Sequence, residues 1–438
     1  MRSIRGIMVL GVGLLAGIAI AATPVAAADE DVEKRMDALE RELEALKKDV
    51  ADPDSQAAAP AGSKASKDMN IMPTWQVTDG ITFKPGFRLQ GQYRYGDVSD
   101  HLFRIRRFRM KGSGKLWDIA KYGAELRVDG TGTTRIPGIP GTSTANIGVE
   151  NGWVEFTKLD DVKARFGLYD IPFSRSNLTS DSKLLFQDRS LIRSLLSVVG
   201  LSDNTIGALF HGRPFGGKLE YATGVFQNDN FKQLPTTSAR LVLNLLDPPK
   251  QGGYADYRGS YVGEGRRLAI SANGAYTPNV TDLNTALPGV PPGLNYDLYA
   301  FGSDLFFNTG PFTVQAEYDW FTKDTGSTGP AGGADYVTHG GYVQAGLLLG
   351  PVFGVEEGSR SSILDSIELA ARYQDVDDET PSAAGGPARG RAQWTSVGMN
   401  YYIRGHNLKV QTDYTFRDSN FVGSRDRHVF QLQLQLDF

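Results

Sequence analysis

From Phe430 to the end of the chain, Phe430, Leu432, Leu434, Leu436 and Phe438 alternate with Gln431, Gln433, Gln435 and Asp437. Side chains of a strand point to opposite faces with period two, so this segment has one apolar and one polar face. The same alternation recurs upstream in segments about ten residues long, separated by Gly, Pro, Asn and Asp. Sixteen such segments are readable: 81–95, 102–116, 119–130, 149–158, 161–169, 205–213, 216–226, 238–247, 266–276, 298–308, 311–321, 338–349, 365–375, 393–404, 407–417 and 427–438. The clearest are Phe312-Val314-Ala316-Tyr318-Trp320, Ile367-Leu369-Ala371-Tyr373 and Leu408-Val410-Thr412-Tyr414-Phe416. Gln315, Glu317, Asp319, Glu368, Arg372, Lys409, Gln411 and Asp413 occupy the faces opposite them. A half-buried strand of a soluble sandwich alternates in the same way. A soluble barrel, however, would turn these apolar faces into a core that ten-residue strands in such number could not fill. Turned outward to lipid, with the polar faces enclosing water, they predict an all-β fold: a transmembrane antiparallel β-barrel of sixteen strands.

The two ends of the chain agree with that address. Arg2 and Arg5 precede an apolar run from Ile7 to Ala22, and Ala26, Ala27 and Ala28 follow Pro24, the pattern of a secretory signal over residues 1–28. That run is shorter than the ~20 residues a spanning helix needs. Outer-membrane barrels resemble the other end, closing on an amphipathic strand with a terminal Phe. The resemblance implies that Phe438 is read by the barrel-assembly machinery. Residues 29–50 have an a/d heptad spacing in Val32, Met36, Leu39, Leu43, Leu46 and Val50, which predicts a periplasmic helix, either solitary or a coiled coil joining identical subunits. Residues 51–79, rich in Ala, Ser, Lys and Pro as far as residue 74, form a linker, and 80–438 the barrel.

Connection lengths give an independent check. With a periplasmic N-terminus, the connections after odd strands face the exterior, and 131–148, 170–204, 277–297, 322–337 and 376–392 are all long. Those after even strands are mostly short, as at 117–118, 159–160, 214–215 and 405–406, which is the barrel pattern. The even connections 248–265 and 350–364 are too long for it, so either the strand edges differ there or that end carries extra structure.

Charge matters by its placement. Without Arg2 and Arg5, 44 of the 46 basic residues remain against 50 acidic ones, a balance that offers nucleic acid nothing. Between Lys84 and Lys115, by contrast, nine basic residues meet only Asp97 and Asp100. Arg88 and Arg94 share the polar face of the first strand with Gln90 and Gln92. In the second, Arg104 and Arg106 oppose Phe103 and Ile105, while Arg107, Arg109 and Lys111 oppose Phe108 and Met110. Period two cannot hold across Arg106–Arg107, which predicts a bulge or a phase slip there. An arginine facing hydrocarbon at the midplane costs ~2–4 kcal/mol, so all seven cations are expected to face the lumen or an interface. A row of guanidinium groups in a narrow pore attracts anions and offers forks suited to phosphate or carboxylate. A basic wall balanced by acids from other strands is the alternative.

The connection 170–204 is apolar for an exposed loop, with Ile171, Phe173, Leu178, Leu184, Leu185, Phe186, Leu191, Ile192, Leu195, Leu196, Val198 and Val199. Folding into the barrel would hide them and make Arg175, Lys183, Arg189 and Arg193 candidates to line a constriction. A subunit contact or a surface helix would hide them as well.

The arginine-dense strand Phe103–Lys111, then Arg165-Phe166-Gly167 leading to Pro172-Phe173, and then Phe186-Gln187-Asp188-Arg189-Ser190 resemble the phosphate-selective porin O and P family. Tyr296-Asp297, Gly302-Ser303-Asp304, Glu317-Tyr318 and Gly398-Met399-Asn400-Tyr401 extend the resemblance in the same order over most of 80–438. After Pro172-Phe173 the chain reads Ser174-Arg175-Ser176, where relatives often carry a Gly-Leu-Glu-like run. The resemblance implies a homotrimeric sixteen-stranded channel in the outer membrane, with an arginine ladder drawing anions such as phosphate or pyrophosphate to a constriction made by an inward third loop. Arg106, Arg107 and Arg189 match the family's arginine-bearing motifs. A general non-selective diffusion porin is the runner-up, and a barrel enzyme or adhesin the reading of another class. Five scattered histidines, no cysteine and no nucleophile or phosphate-loop motif give no reason to expect catalysis, a metal or a cofactor.

Overall fold

The computed structural model describes residues 72–438 except 130–133, 136–142, 145, 160, 202–203, 228–233, 249–253, 282–294, 325–334, 354–362, 379–389 and 420–425. The expected signal, the heptad segment and most of the linker lie outside the described residues. Sixteen antiparallel strands form the barrel: β1 Ile81–Gly96, β2 Asp100–Leu116, β3 Ala120–Asp129, β4 Asn146–Phe156, β5 Lys163–Asp170, β6 Asn204–Gly212, β7 Leu219–Phe226 and β8 Thr236–Asn244. They continue with β9 Arg266–Thr281, β10 Asn295–Thr309, β11 Phe312–Asp324, β12 Asp335–Leu348, β13 Ile367–Asp378, β14 Gly390–Arg404, β15 Leu408–Ser419 and β16 His428–Asp437. Each of the sixteen alternating segments corresponds to one of these strands.

Every strand pairs with its sequence neighbours, and β16 pairs with β1 from Val429–Gly96 to Asp437–Arg88, which closes the cylinder and leaves no open edge. At the seam, Phe438 N–H donates to the Phe87 carbonyl at 2.8 Å and its own carbonyl accepts from Phe87 N–H at 3.0 Å. Gly86 is needed beside it, since a Cβ there would stand 2.4 Å from the Phe438 carbonyl oxygen.

The alternation is oriented as a membrane requires. Phe430, Leu432 and Leu434 are 38%, 42% and 51% exposed, whereas Gln431, Gln433 and Gln435 are buried. Lipid has no water to satisfy backbone groups, and a closed barrel satisfies them strand to strand. The bulge expected on β2 is present: Gln90 faces Arg107 and Gly91 faces Ile105, so Arg106 is the extra residue. It resets the phase, so Arg104 and Arg106 before it, and Arg107, Arg109 and Lys111 after it, all lie on the face opposite the exposed Phe103, Ile105 and Met110.

Some inward positions are apolar, and they face the long connection after β5. That segment enters the barrel as a one-turn helix, α1 Arg175–Leu178, a 3-10 turn at Asp181–Lys183 and a second helix, α2 Leu191–Val198. Its Ile171, Phe173, Ile192, Leu196 and Leu201 pack with Leu298, Ala300, Phe321 and Val376 of the inner wall in one buried cluster. The hydrophobic effect thus holds the loop inside.

The long connection 248–265 carries the extra structure that its length suggested. Its Tyr257 and Tyr261 pack on Leu178, Val242 and Phe306, and Gly259 N–H donates to the Lys183 carbonyl at 2.8 Å. A Cβ on Gly259 would fall 2.6 Å from Leu185 N, so only glycine allows this approach to the inward loop. The described parts of 350–364 include two short helical turns, Leu349–Val352 and Ile363–Ser366, that bound it.

Candidate functional site: an arginine-walled constriction

Both oxygens of Glu317 on β11 accept backbone N–H groups of the inward loop, from Arg175 at 2.8 Å and from Ser176 at 3.0 Å. Across the barrel, Lys409 Nζ donates to the Leu184 carbonyl at 3.1 Å, and Gln92 Nε2 to Gln187 Oε1 at 2.9 Å. Glu317 and Lys409 thereby satisfy loop backbone groups that would otherwise be unpaired inside the lumen, and Gln92 holds the Gln187 side chain.

A cavity of about 650 Å³ lies between the loop and the barrel wall, lined mainly by β1 to β5 and also by β14, β15 and the 248–265 connection. Its lining contains ten arginines: Arg88, Arg104, Arg106, Arg107, Arg109, Arg127, Arg165, Arg189, Arg193 and Arg417. Five carboxylates oppose them, Glu125, Glu150, Asp170, Asp181 and Asp188. Two acids of the loop sit among the guanidinium groups. Asp181 meets Arg107 at 3.0 Å and Arg189 at 2.8 Å, and Asp188 meets Arg106 at 2.5 Å. Burial alone would raise both carboxyls, but the arginines outweigh it and hold each well below the usual carboxylate range. Because their folded values are depressed, these pairs contribute fully above the ordinary aspartate value of about 3.9 and are lost as pH falls through the lower one. Arg106 Nη1 and Arg417 Nε are buried with no hydrogen-bond partner among the described residues.

Of the eleven cations singled out from the sequence, Arg88, Arg104, Arg106, Arg107, Arg109, Arg189 and Arg193 line the cavity. Arg88 also donates to Ser180 at 3.0 Å and pairs with Asp437 at 3.3 Å. Four stand elsewhere. Arg94 pairs with Asp426 at 3.0 Å, Lys111 with Asp437, and Lys183 with Asp256 at 2.8 Å. Arg175 was expected on the constriction and is instead 2% exposed, packed against Tyr257 and Phe306 and 3.6 Å from Asp304. It anchors the loop from behind, because the one-turn helix directs it to the wall of β10. Sequence reasoning did not single out Arg127 or Arg417, or the two tryptophans of the lining, Trp153 and Trp394. Their strands were readable, yet which inward residues the loop leaves uncovered depends on its path.

Comparisons with known proteins place this barrel. An uncharacterized protein of Aquifex aeolicus is 24% identical over 394 residues, covering 81% of this chain and 87% of its own. Among solved structures, OmpT, an outer membrane protein of Vibrio cholerae in trimer form, is 12% identical with a TM-score of 0.53, covering 82% of this chain and all of its own. OmpF of Salmonella typhi, in complex with daunomycin, is 12% identical at 0.53, covering 84% and 100%. The anion-selective porin of Comamonas acidovorans is 11% identical at 0.50, covering 82% and 100%. At such identities the likeness concerns the fold. The family model described as phosphate-selective porin O and P matches residues 83–438, and the chain belongs to that family of outer-membrane channels.

Proposed function

We propose that this porin passes small anions, phosphate and pyrophosphate among them, by passive diffusion through the arginine-walled cavity. The observation that carries the reading is the ten arginines around one aqueous space, against five carboxylates in the lining and two behind it, Asp437 and Glu155, that pair with Arg88 and Arg165. Fixed cations in a cleft with low-dielectric walls raise the local concentration of anions, and guanidinium forks match the oxygens of phosphate and carboxylate. The substrate's own gradient drives this passage, so the protein acts as a channel rather than an enzyme. A homotrimer with Phe438 as the signal to the assembly machinery completes the proposal, and the heptads of residues 29–50 would join the subunits on the periplasmic side. A trimeric mass in detergent that weakens when residues 29–50 are removed is the matching observation.

The test of the pore itself is the zero-current potential of purified protein in a planar bilayer under a KCl gradient. The expected sign is that of chloride preference. A potential of the opposite sign would defeat the anion reading and restore a general diffusion porin.

A further inference from the structure

We propose that the cavity favours anions carrying a planar aromatic body, such as aryl carboxylates, over equally charged anions without one. The inference rests on the anion reading and narrows it to a substrate class.

Two tryptophans line the cavity, Trp153 from β4 and Trp394 from β14, with Tyr254 of the inward 248–265 connection beside the first. Each indole carries a guanidinium over its ring. Arg165 Cζ lies 4.0 Å from the Trp153 ring centre and Arg417 Cζ 4.1 Å from that of Trp394. Stacking of this kind fixes the plane of the fork. The two stacks differ in charge. Arg165 is bound by Glu155 at 2.5 Å and buried, so the Trp153–Tyr254 wall is neutral and aromatic. Arg417 and Trp394 both line the cavity, and Arg417 Nε and Trp394 Nε1 are buried there with no hydrogen-bond partner among the described residues. An oxyanion bound by the Arg417 edge would have indole surface next to it. Bare phosphate gains nothing from that surface, whereas an aryl group gains ring contact of the offset or edge-to-face kind. An aromatic wall beside an arginine fork is the chemistry that recognises both halves of an aryl carboxylate.

Benzoate and acetate separate the two contributions, since both are monocarboxylates ionised at pH 7. Added to purified full-length protein conducting KCl in a planar bilayer, benzoate is expected to reduce the chloride current at about three- to tenfold lower concentration than acetate. In Trp394→Leu and in Trp153→Leu that ratio falls toward one. Each ratio is internal to one protein, so a change in basal conductance does not disturb it. Equal block of the unaltered channel by the two anions overturns the aromatic preference while leaving the anion reading in place, as does a ratio untouched by both substitutions. Cation preference in plain KCl removes both.

Discussion

Replacing Arg106 and Arg107 together with Ala is expected to lower the anion-to-cation permeability ratio by about tenfold or more. The lining then holds eight arginines against the same five carboxylates. Asp188 loses its partner at 2.5 Å, and Asp181 loses one of its two. A unit charge about 4 Å from a permeating ion contributes about 1 kcal/mol even at the dielectric of water and about 4 kcal/mol near a protein surface. The lower limit alone is roughly fivefold in local anion concentration per guanidinium. Exposing two carboxylates acts in the same direction. Zero-current potentials of the double variant read the effect directly, and Arg106→Lys with Arg107→Lys should retain most of the preference because the charge is kept. An unchanged ratio in the alanine variant would remove these two residues from the pathway.

The second large effect concerns the membrane face. Leu432 lies mid-strand on β16, exposed outward, and Leu432→Arg is expected to cost ~2–4 kcal/mol of stability in a bilayer. Ser194→Arg, at an exposed position lining the cavity, adds the same charge to a wet space and should cost little. Urea-unfolding midpoints of barrels refolded in vesicles compare the two. Equal stability of both variants would mean that the alternating faces do not divide lipid from water.

Strand number, their order and the facing of each strand were legible because period-two alternation is local, and each barrel strand meets only its neighbours. The bulge at Arg106 was legible for the same reason, as two arginines in succession break the period. The apolar content of the loop, with Ile171, Phe173 and Leu196 in need of a dry neighbour, allowed an inward course beside a subunit contact or a surface helix, and the inward course is the one the structure has. Its path was not legible. Arg175 faces the barrel wall and Arg189 the cavity, a division set by contacts with Glu317 and Asp304 from distant strands and with Asp181 across a turn of the loop itself. The lumenal role of the 248–265 connection was hidden in the same way, because nothing in its own sequence names Leu178 and Lys183 as partners. Local periodicity thus fixes the walls of the channel, and long-range packing of two inward segments decides which charges reach the water.

The chain contains no cysteine, so one introduced thiol reports a single place. Ser194→Cys puts it on the cavity surface with almost no change in size, and Leu432→Cys puts it on the outer face. With protein in a bilayer, an anionic methanethiosulfonate reagent should modify Cys at 194 about tenfold or more faster than a cationic reagent of similar size, while neither reaches position 432. Faster modification by the cation at 194, or ready labelling at 432 by either reagent, would contradict a water-filled anion path enclosed by the arginine-bearing faces of these strands.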